Sequence, residues 1–246
     1  LAQDGVVYAA AGVIDYDGTY VYALDAKSGK IKWQNVTSGH LNPALRKGVA
    51  AQGVLTIAKG RLWLAGGNII SPAPYDLQTG EYVGPAVRDG APQSNRGEEI
   101  GVFLDRYILV GGRLRYSAAR NVINPGFFEA HTISDERETK RARLVKGKIA
   151  PAWNSEYAVV VDGWQAAPKC FDAKLLSAAL ARGDRVSDLA PFSVAEALGG
   201  TNVVALALAP NAILAVTEKS ESRRLSTRWI LSAIDPQSGT IRWEQS

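Results

Sequence analysis

One sentence is written twice in this chain, 210 residues apart. "YVYALDAKSGKIKW" (20–33) and "ILSAIDPQSGTIRW" (230–243) both run apolar alternation into Asp-x-x-Ser-Gly, then out again to tryptophan. Alternation broken by a short turn and resumed predicts a β-hairpin. Asp25 and Asp235 stand where a carboxylate accepts hydrogen bonds from backbone N–H groups two or three residues on. Gly29 and Gly239 can adopt the left-handed conformation that closes a short loop with a bulge. After the turn, alternation predicts Ile31 and Trp33 on one face with Lys30 and Lys32 on the other. The last copy repeats this, with Ile241 and Trp243 inward and Thr240 and Arg242 outward. Each tryptophan is expected to bury itself against the flank of a neighbouring unit, with small Ala23 and Ala233 leaving room for the ring.

The duplication belongs to a longer period. An apolar strand ending in glycine or an acidic residue recurs as "DGVVYAAAG" (4–12), "GRLWLAGG" (60–67), "DRYILVGG" (105–112), "EYAVVVDG" (156–163) and "NAILAVTE" (211–218). Aligning Tyr8, Trp63, Ile108, Val159 and Leu214 gives spacings of 55, 45, 51 and 55 residues. In the later four copies another apolar strand precedes it ("GVLTIA", "EIGVFL", "KIAPAW", "VVALALA"), and the first copy offers only "LA". Two further strands follow the best copies. Five units of about four strands predict an all-β chain of β-propeller blades, at about 1–48, 49–95, 96–144, 145–200 and 201–246, forming one domain. The first unit is expected to lack its inner strand. Leu175, Leu176, Ala179 and Leu180 share a helical face, so a helical insertion is expected over about 173–198, and insertions on repeat folds often mark the binding face.

Ala-x-Asp-x-x-Ser/Thr-Gly-x-x-x-Trp resembles the repeat of PQQ-like propellers, the quinoprotein-like superfamily. It stands complete as Ala23, Asp25, Ser28, Gly29, Trp33 and as Ala233, Asp235, Ser238, Gly239, Trp243. "YDLQTGEYVG" (75–84) keeps Asp76, Thr79 and Gly80 without the tryptophan, and "CFDAKLLSAALARGD" (170–184) keeps only Asp172. The third unit, around "GFFEAHTIS" (126–134), carries no recognisable motif. A first unit without its inner strand leaves a sheet edge open, so these residues are expected to belong to a larger ring of six to eight blades, with a five-bladed ring closed by later residues as the rival. A chain without methionine that opens directly on strand-like sequence is expected to be a processed product or part of a longer protein.

Other features narrow the chemistry. The net charge of +4 is scattered, which does not argue for nucleic acid, and no apolar run is long enough for a membrane-spanning helix. Cys170 is the single cysteine, so there is neither an internal disulfide nor the adjacent pair that dehydrogenases of the resembled superfamily carry beside PQQ and calcium. His40 and His131 show no metal-ligand spacing. Glu98, Glu99 and Asn202 are residue types found among calcium ligands, at no diagnostic spacing. Asn35-Val36-Thr37 fits a glycosylation sequon. "SDERETKRARLVKGK" (134–148) holds six basic residues. Arg137, Lys140, Arg141, Arg143, Lys146 and Lys148 could form a basic loop for an acidic partner, or a solvated connector.

Two functions fit these readings. The first is a non-catalytic binding or scaffolding propeller, similar to the outer-membrane-assembly lipoproteins. Its partner would be a protein, a peptide or further blades of its own chain, with no cofactor. The second is part of a PQQ-dependent dehydrogenase whose site lies largely outside these residues, with PQQ and calcium as cofactors. The resemblance implies an exported protein, periplasmic or at the cell surface.

Overall fold

The computed structural model describes residues 1–14, 17–66, 70–87, 99–111, 114–117, 122–125, 127–133, 141–146, 149–221 and 226–246. The chain divides into two compact units, Leu1–Gly126 with Ala130–Arg141, and Phe127–Glu129 with Ala142–Ser246. Each is built from antiparallel sheets whose strands follow one another along the chain.

In the first unit, β1 (Ala2–Gln3), β2 (Val6–Ala11), β3 (Tyr20–Asp25) and β4 (Ile31–Asn35) form a four-stranded sheet in chain order. Thus the first repeat does have its inner strand, two residues long, where the sequence predicted none. The second sheet is β5 (Leu55–Ala58), β6 (Arg61–Leu64) and β7 (Ala73–Asp76); only a single bridge, Tyr75 to Tyr82, marks the place of a fourth strand. The incomplete repeat is therefore the second, the one that lost its tryptophan. In the third sheet, β8 (Glu99–Phe103) and β9 (Tyr107–Gly111) precede a separate hairpin of β10 (Leu114–Ser117) and β11 (Val122–Pro125). The strands β12 (Phe127–Thr132) and β13 (Arg141–Lys146) then complete the order β13-β12-β9-β8. That hairpin is inserted between the second and third strands of the sheet, whereas the turn of the other repeats joins the third and fourth.

The second unit holds the fourth sheet, β14 (Ala152–Trp153), β15 (Tyr157–Val160), β16 (Lys169–Asp172) and β17 (Ser193–Val194). Between its last two strands lies α1 (Ala173–Arg182), the expected helical insertion. The fifth sheet is β18 (Asn202–Ala209), β19 (Ala212–Glu221), β20 (Ser226–Ile234) and β21 (Ile241–Gln245).

Neighbouring sheets bury their faces against each other. In the first unit, Tyr8, Val21 and Ala23 of the first sheet pack on Leu62, Leu64, Ala73 and Tyr75 of the second. The opposite face of the second sheet, with Trp63, meets Ile108 and Val110 of the third. Successive residues of β6 therefore serve two interfaces, and its sequence reads as a continuous apolar run rather than an alternating one. In the second unit, Val159 and Cys170 pack on Ile213, Ala215 and Ile234.

One expectation about faces fails for a physical reason. On β3 and β4, Ala23 pairs with Trp33 but the adjacent Leu24 pairs with Ile31, so Lys32 is an extra residue. The same bulge recurs where Ala233 pairs with Trp243 and Ile234 with Ile241. A bulge flips the alternation, so isoleucine and tryptophan point to opposite faces instead of sharing one. The tryptophan face of the first sheet looks toward the second sheet. The isoleucine face of the fifth sheet looks toward the fourth.

Candidate functional site

The three Asp-x-x-Ser/Thr-Gly turns are built alike. Asp25 Oδ1 accepts from the Lys27 N (3.2 Å), Ser28 N (2.7 Å) and Ser28 Oγ (2.7 Å). Asp76 Oδ1 accepts from Gln78 N, Thr79 N and Thr79 Oγ1. Asp235 Oδ1 accepts from Gln237 N and Ser238 N, while its Oδ2 receives the Arg242 guanidinium. Hydrogen bonds from Ser28, first through its hydroxyl, hold the Asp25 carboxyl below its usual range. The backbone N–H of Thr79 leads in doing the same for Asp76. Arg242 is the main cause that lowers Asp235 to about 2. Gly29, Gly80 and Gly239 close the turns at φ 70°, 74° and 72°, the left-handed region.

The turns at Asp76 and Asp235 are docking points, while the one at Asp25 is open to solvent. Trp33 reaches out of the first sheet and its Nε1 donates to the Leu77 carbonyl (3.0 Å), the residue after Asp76. Its ring lies over Gly80, where a Cβ would stand 2.3 Å from Trp33 Cε3. Asn35 Nδ2 donates to the Gly80 carbonyl (2.9 Å). In the second unit the same contact is made with other atoms. Cys170 pairs with Ser193 as Ala23 pairs with Trp33, and Ser193 Oγ donates to the Pro236 carbonyl, the residue after Asp235. The Val194 carbonyl then lies over Gly239. Cys170 thus holds the alanine position of a disguised repeat, and burial pushes its thiol up to about 11, an inert state. Asp172 also keeps its repeat role, since its Oδ1 accepts from Leu175 N (2.8 Å). The bond that starts a turn elsewhere caps α1 here. Trp243 differs from its twin Trp33, being 47% exposed where burial was predicted. No described turn receives its indole.

Arg137, Lys140 and Lys148 lie outside the described residues. Arg141, Arg143 and Lys146 fall on β13, so this part of the expected basic loop is strand. Glu98 lies outside the described residues and Glu99 opens β8. His40 ends a short 3-10 turn, Ser38–His40. A calcium ion with PQQ does not fit the motif residues: each aspartate spends an oxygen on the amides of its own turn, and the turns at Asp76 and Asp235 also lie at interfaces between sheets.

What the insertion does create is an apolar groove. Phe171, Leu176, Ala179 and Leu189 line a cleft of about 360 Å³ beside α1, rimmed by Leu175 and Phe192. Leu175 is 72% exposed and Phe192 55%. Gly183, at φ 86°, ends the helix by donating its N–H to the Ala179 and Leu180 carbonyls, which returns the chain toward β17. Sequence periodicity identified the helix but not Phe192, which lies in the irregular return segment.

No protein-family model matches this chain, and no curated protein does. Among solved structures, a quinohemoprotein alcohol dehydrogenase from Pseudomonas putida HK5 is similar over 99% of this chain, with 13% sequence identity and a TM-score of 0.33. The chain spans 45% of that enzyme's length. A likeness that loose fixes neither activity nor cofactor.

Proposed function

We propose that this is a non-catalytic binding and scaffolding protein of the PQQ-like propeller type, exported to the periplasm or cell surface, with its sheets serving as blades of a larger ring. The observation that carries the reading is the groove beside α1, where an inserted helix keeps Leu175 and Phe192 in solvent instead of burying them. Exposed apolar surface of this kind marks interaction sites. The partner is a protein or peptide that offers an apolar side chain to the groove. The repeat residues support the same reading, because their carboxylates, glycines and Trp33 are engaged in turns and docking.

Peptide display against the intact chain tests it. Selected peptides should carry a bulky apolar residue and lose binding to a Leu175→Glu, Phe192→Ser variant whose circular dichroism matches the parent. Selected peptides that bind the variant equally well would refute the groove. Saturable binding of PQQ with calcium, together with dye-linked alcohol oxidation, would replace the scaffold by the dehydrogenase.

A further inference from the structure

A second cleft, of about 560 Å³, opens where the fourth and fifth sheets meet inside the second unit. Its floor is one end of the fifth sheet, with Asn202 of β18, Thr217, Glu218 and Lys219 of β19, and Glu244 of β21. Its wall is the connector between β15 and β16, which presents Trp164 with 63% of its surface in solvent. That connector is sharply bent: Gly163 has φ 116°, and Gln165, a non-glycine residue, sits at φ 56°. Left-handed backbone at a non-glycine residue costs energy, and it clusters at ligand-binding positions.

The polar groups of the floor are held in place before any ligand arrives. Asn202 Nδ2 donates to Glu218 Oε2 (2.6 Å). Ser232 Oγ donates to Glu244 Oε1 (2.8 Å). Alternation along β19 puts Thr217 and Lys219 on the sheet face turned to the fourth sheet, which Glu244 shares through its pairing with Ser232, and puts Glu218 on the other face, so one carboxylate, one ammonium and one hydroxyl line this side of the cleft beside the indole. The mixture selects against simple ions: Lys219 opposes a cation, and Glu244 opposes an anion. It suits a neutral molecule that both gives and accepts hydrogen bonds and has a flat, weakly apolar face. A pyranose ring has both properties, with C–H groups on its face and hydroxyls around its edge. Aromatic and fixed polar groups of this kind set orientation and specificity in small-ligand sites.

We propose that this cleft binds a neutral saccharide, with a sugar ring stacked on Trp164 and its hydroxyls bridging Glu244 and Lys219. The site shares no residue with the groove beside α1, so the two stand or fall separately.

The test titrates the whole chain with neutral gluco-, manno-, galacto- and N-acetylhexosamine oligosaccharides, read by tryptophan fluorescence and calorimetry, with spermidine as the cationic control. Saturable binding of at least one oligosaccharide is expected. It should weaken by at least about tenfold in Trp164→Ala and in Glu244→Gln. Trp164→Phe should retain much of it, and Leu175→Glu should leave it unchanged. A neutral ligand also keeps its affinity as salt rises. Circular dichroism of each variant checks the fold. The proposal is overturned if no oligosaccharide in the set binds. It is equally overturned if binding survives both cleft variants, or if only spermidine binds in a salt-sensitive way.

Discussion

Gly80→Ala should damage this protein far more than Gly29→Ala, although both glycines sit in the same turn at nearly the same φ. At Gly29 an added Cβ meets nothing within 4 Å. Only left-handed strain remains there, costing about 1 kcal/mol. At Gly80 the same methyl would stand 2.3 Å from Trp33 Cε3 and 2.6 Å from Trp33 Cδ2. The indole must leave, and with it go its packing and the bond to the Leu77 carbonyl. Losing that bond costs about 1 kcal/mol. Partial loss of the ring's packing adds about 1–2 kcal/mol, so Gly80→Ala should total about 3–4 kcal/mol. A double-mutant cycle isolates the cause. In a Trp33→Ala background no ring remains to displace, and Gly80→Ala should fall back to about 1 kcal/mol, a coupling of about 2–3 kcal/mol. Urea melts followed by far-ultraviolet circular dichroism measure all four corners. Additive effects, or equal costs at Gly29 and Gly80, would refute the docking of Trp33 on this turn.

Trp33→Ala should cost about 3 kcal/mol, but its twin Trp243→Ala only about 1 kcal/mol, because 47% of that side chain is already in water; equal midpoints in denaturant would contradict the difference. Ser193→Ala should cost about 1 kcal/mol by stranding the Pro236 carbonyl, whereas Ser193→Thr should retain part of the bond if the extra methyl is accommodated. Asp235 has a folded pKa of about 2, below the ordinary 3.8, so its contribution is complete above pH 3.8 and is lost as pH falls toward 2. Asp235→Asn should therefore flatten the stability profile across that window, and an unchanged acid limb would count against the Arg242 pairing. Cys170 should resist iodoacetamide at neutral pH until denaturant opens the chain, as measured by mass spectrometry.

Sequence periodicity located the five second strands, because each is an apolar run bounded by turn residues. It also located the helix, and it identified the aspartates as caps. It misjudged faces because counting alternate residues assumes that paired strands advance together. The extra residue at Lys32, and its counterpart in the last repeat, breaks that assumption. Ile31 and Trp33 are two apart while their partners Leu24 and Ala23 are adjacent, which only a bulge can reconcile. Trp164 was missed for a different reason. A lone tryptophan in a connector has no periodicity, and only the bend at Gly163 and Gln165 sets it apart.

The hidden fourth repeat shows why the motif can degrade while the sheet survives. What a turn offers its neighbour is the carbonyl after the aspartate, and any well-placed donor can use it. Trp33 supplies an indole N–H and Ser193 supplies a hydroxyl to equivalent carbonyls, at Leu77 and Pro236. The partner on the adjacent strand then needs only to be small, which Ala23 and Cys170 both are. Trp33 lies ten residues beyond Ala23, but Ser193 lies twenty-three beyond Cys170, because α1 fills the place of the turn. A motif read at fixed spacing cannot span that gap. The requirement is spatial: a small residue on one strand, a donor opposite it, and an acceptor carbonyl on the next sheet. Freed from keeping its turn short, the fourth repeat could accept a ten-residue helix, and with it an apolar groove, without surrendering the bond that docks it to the fifth.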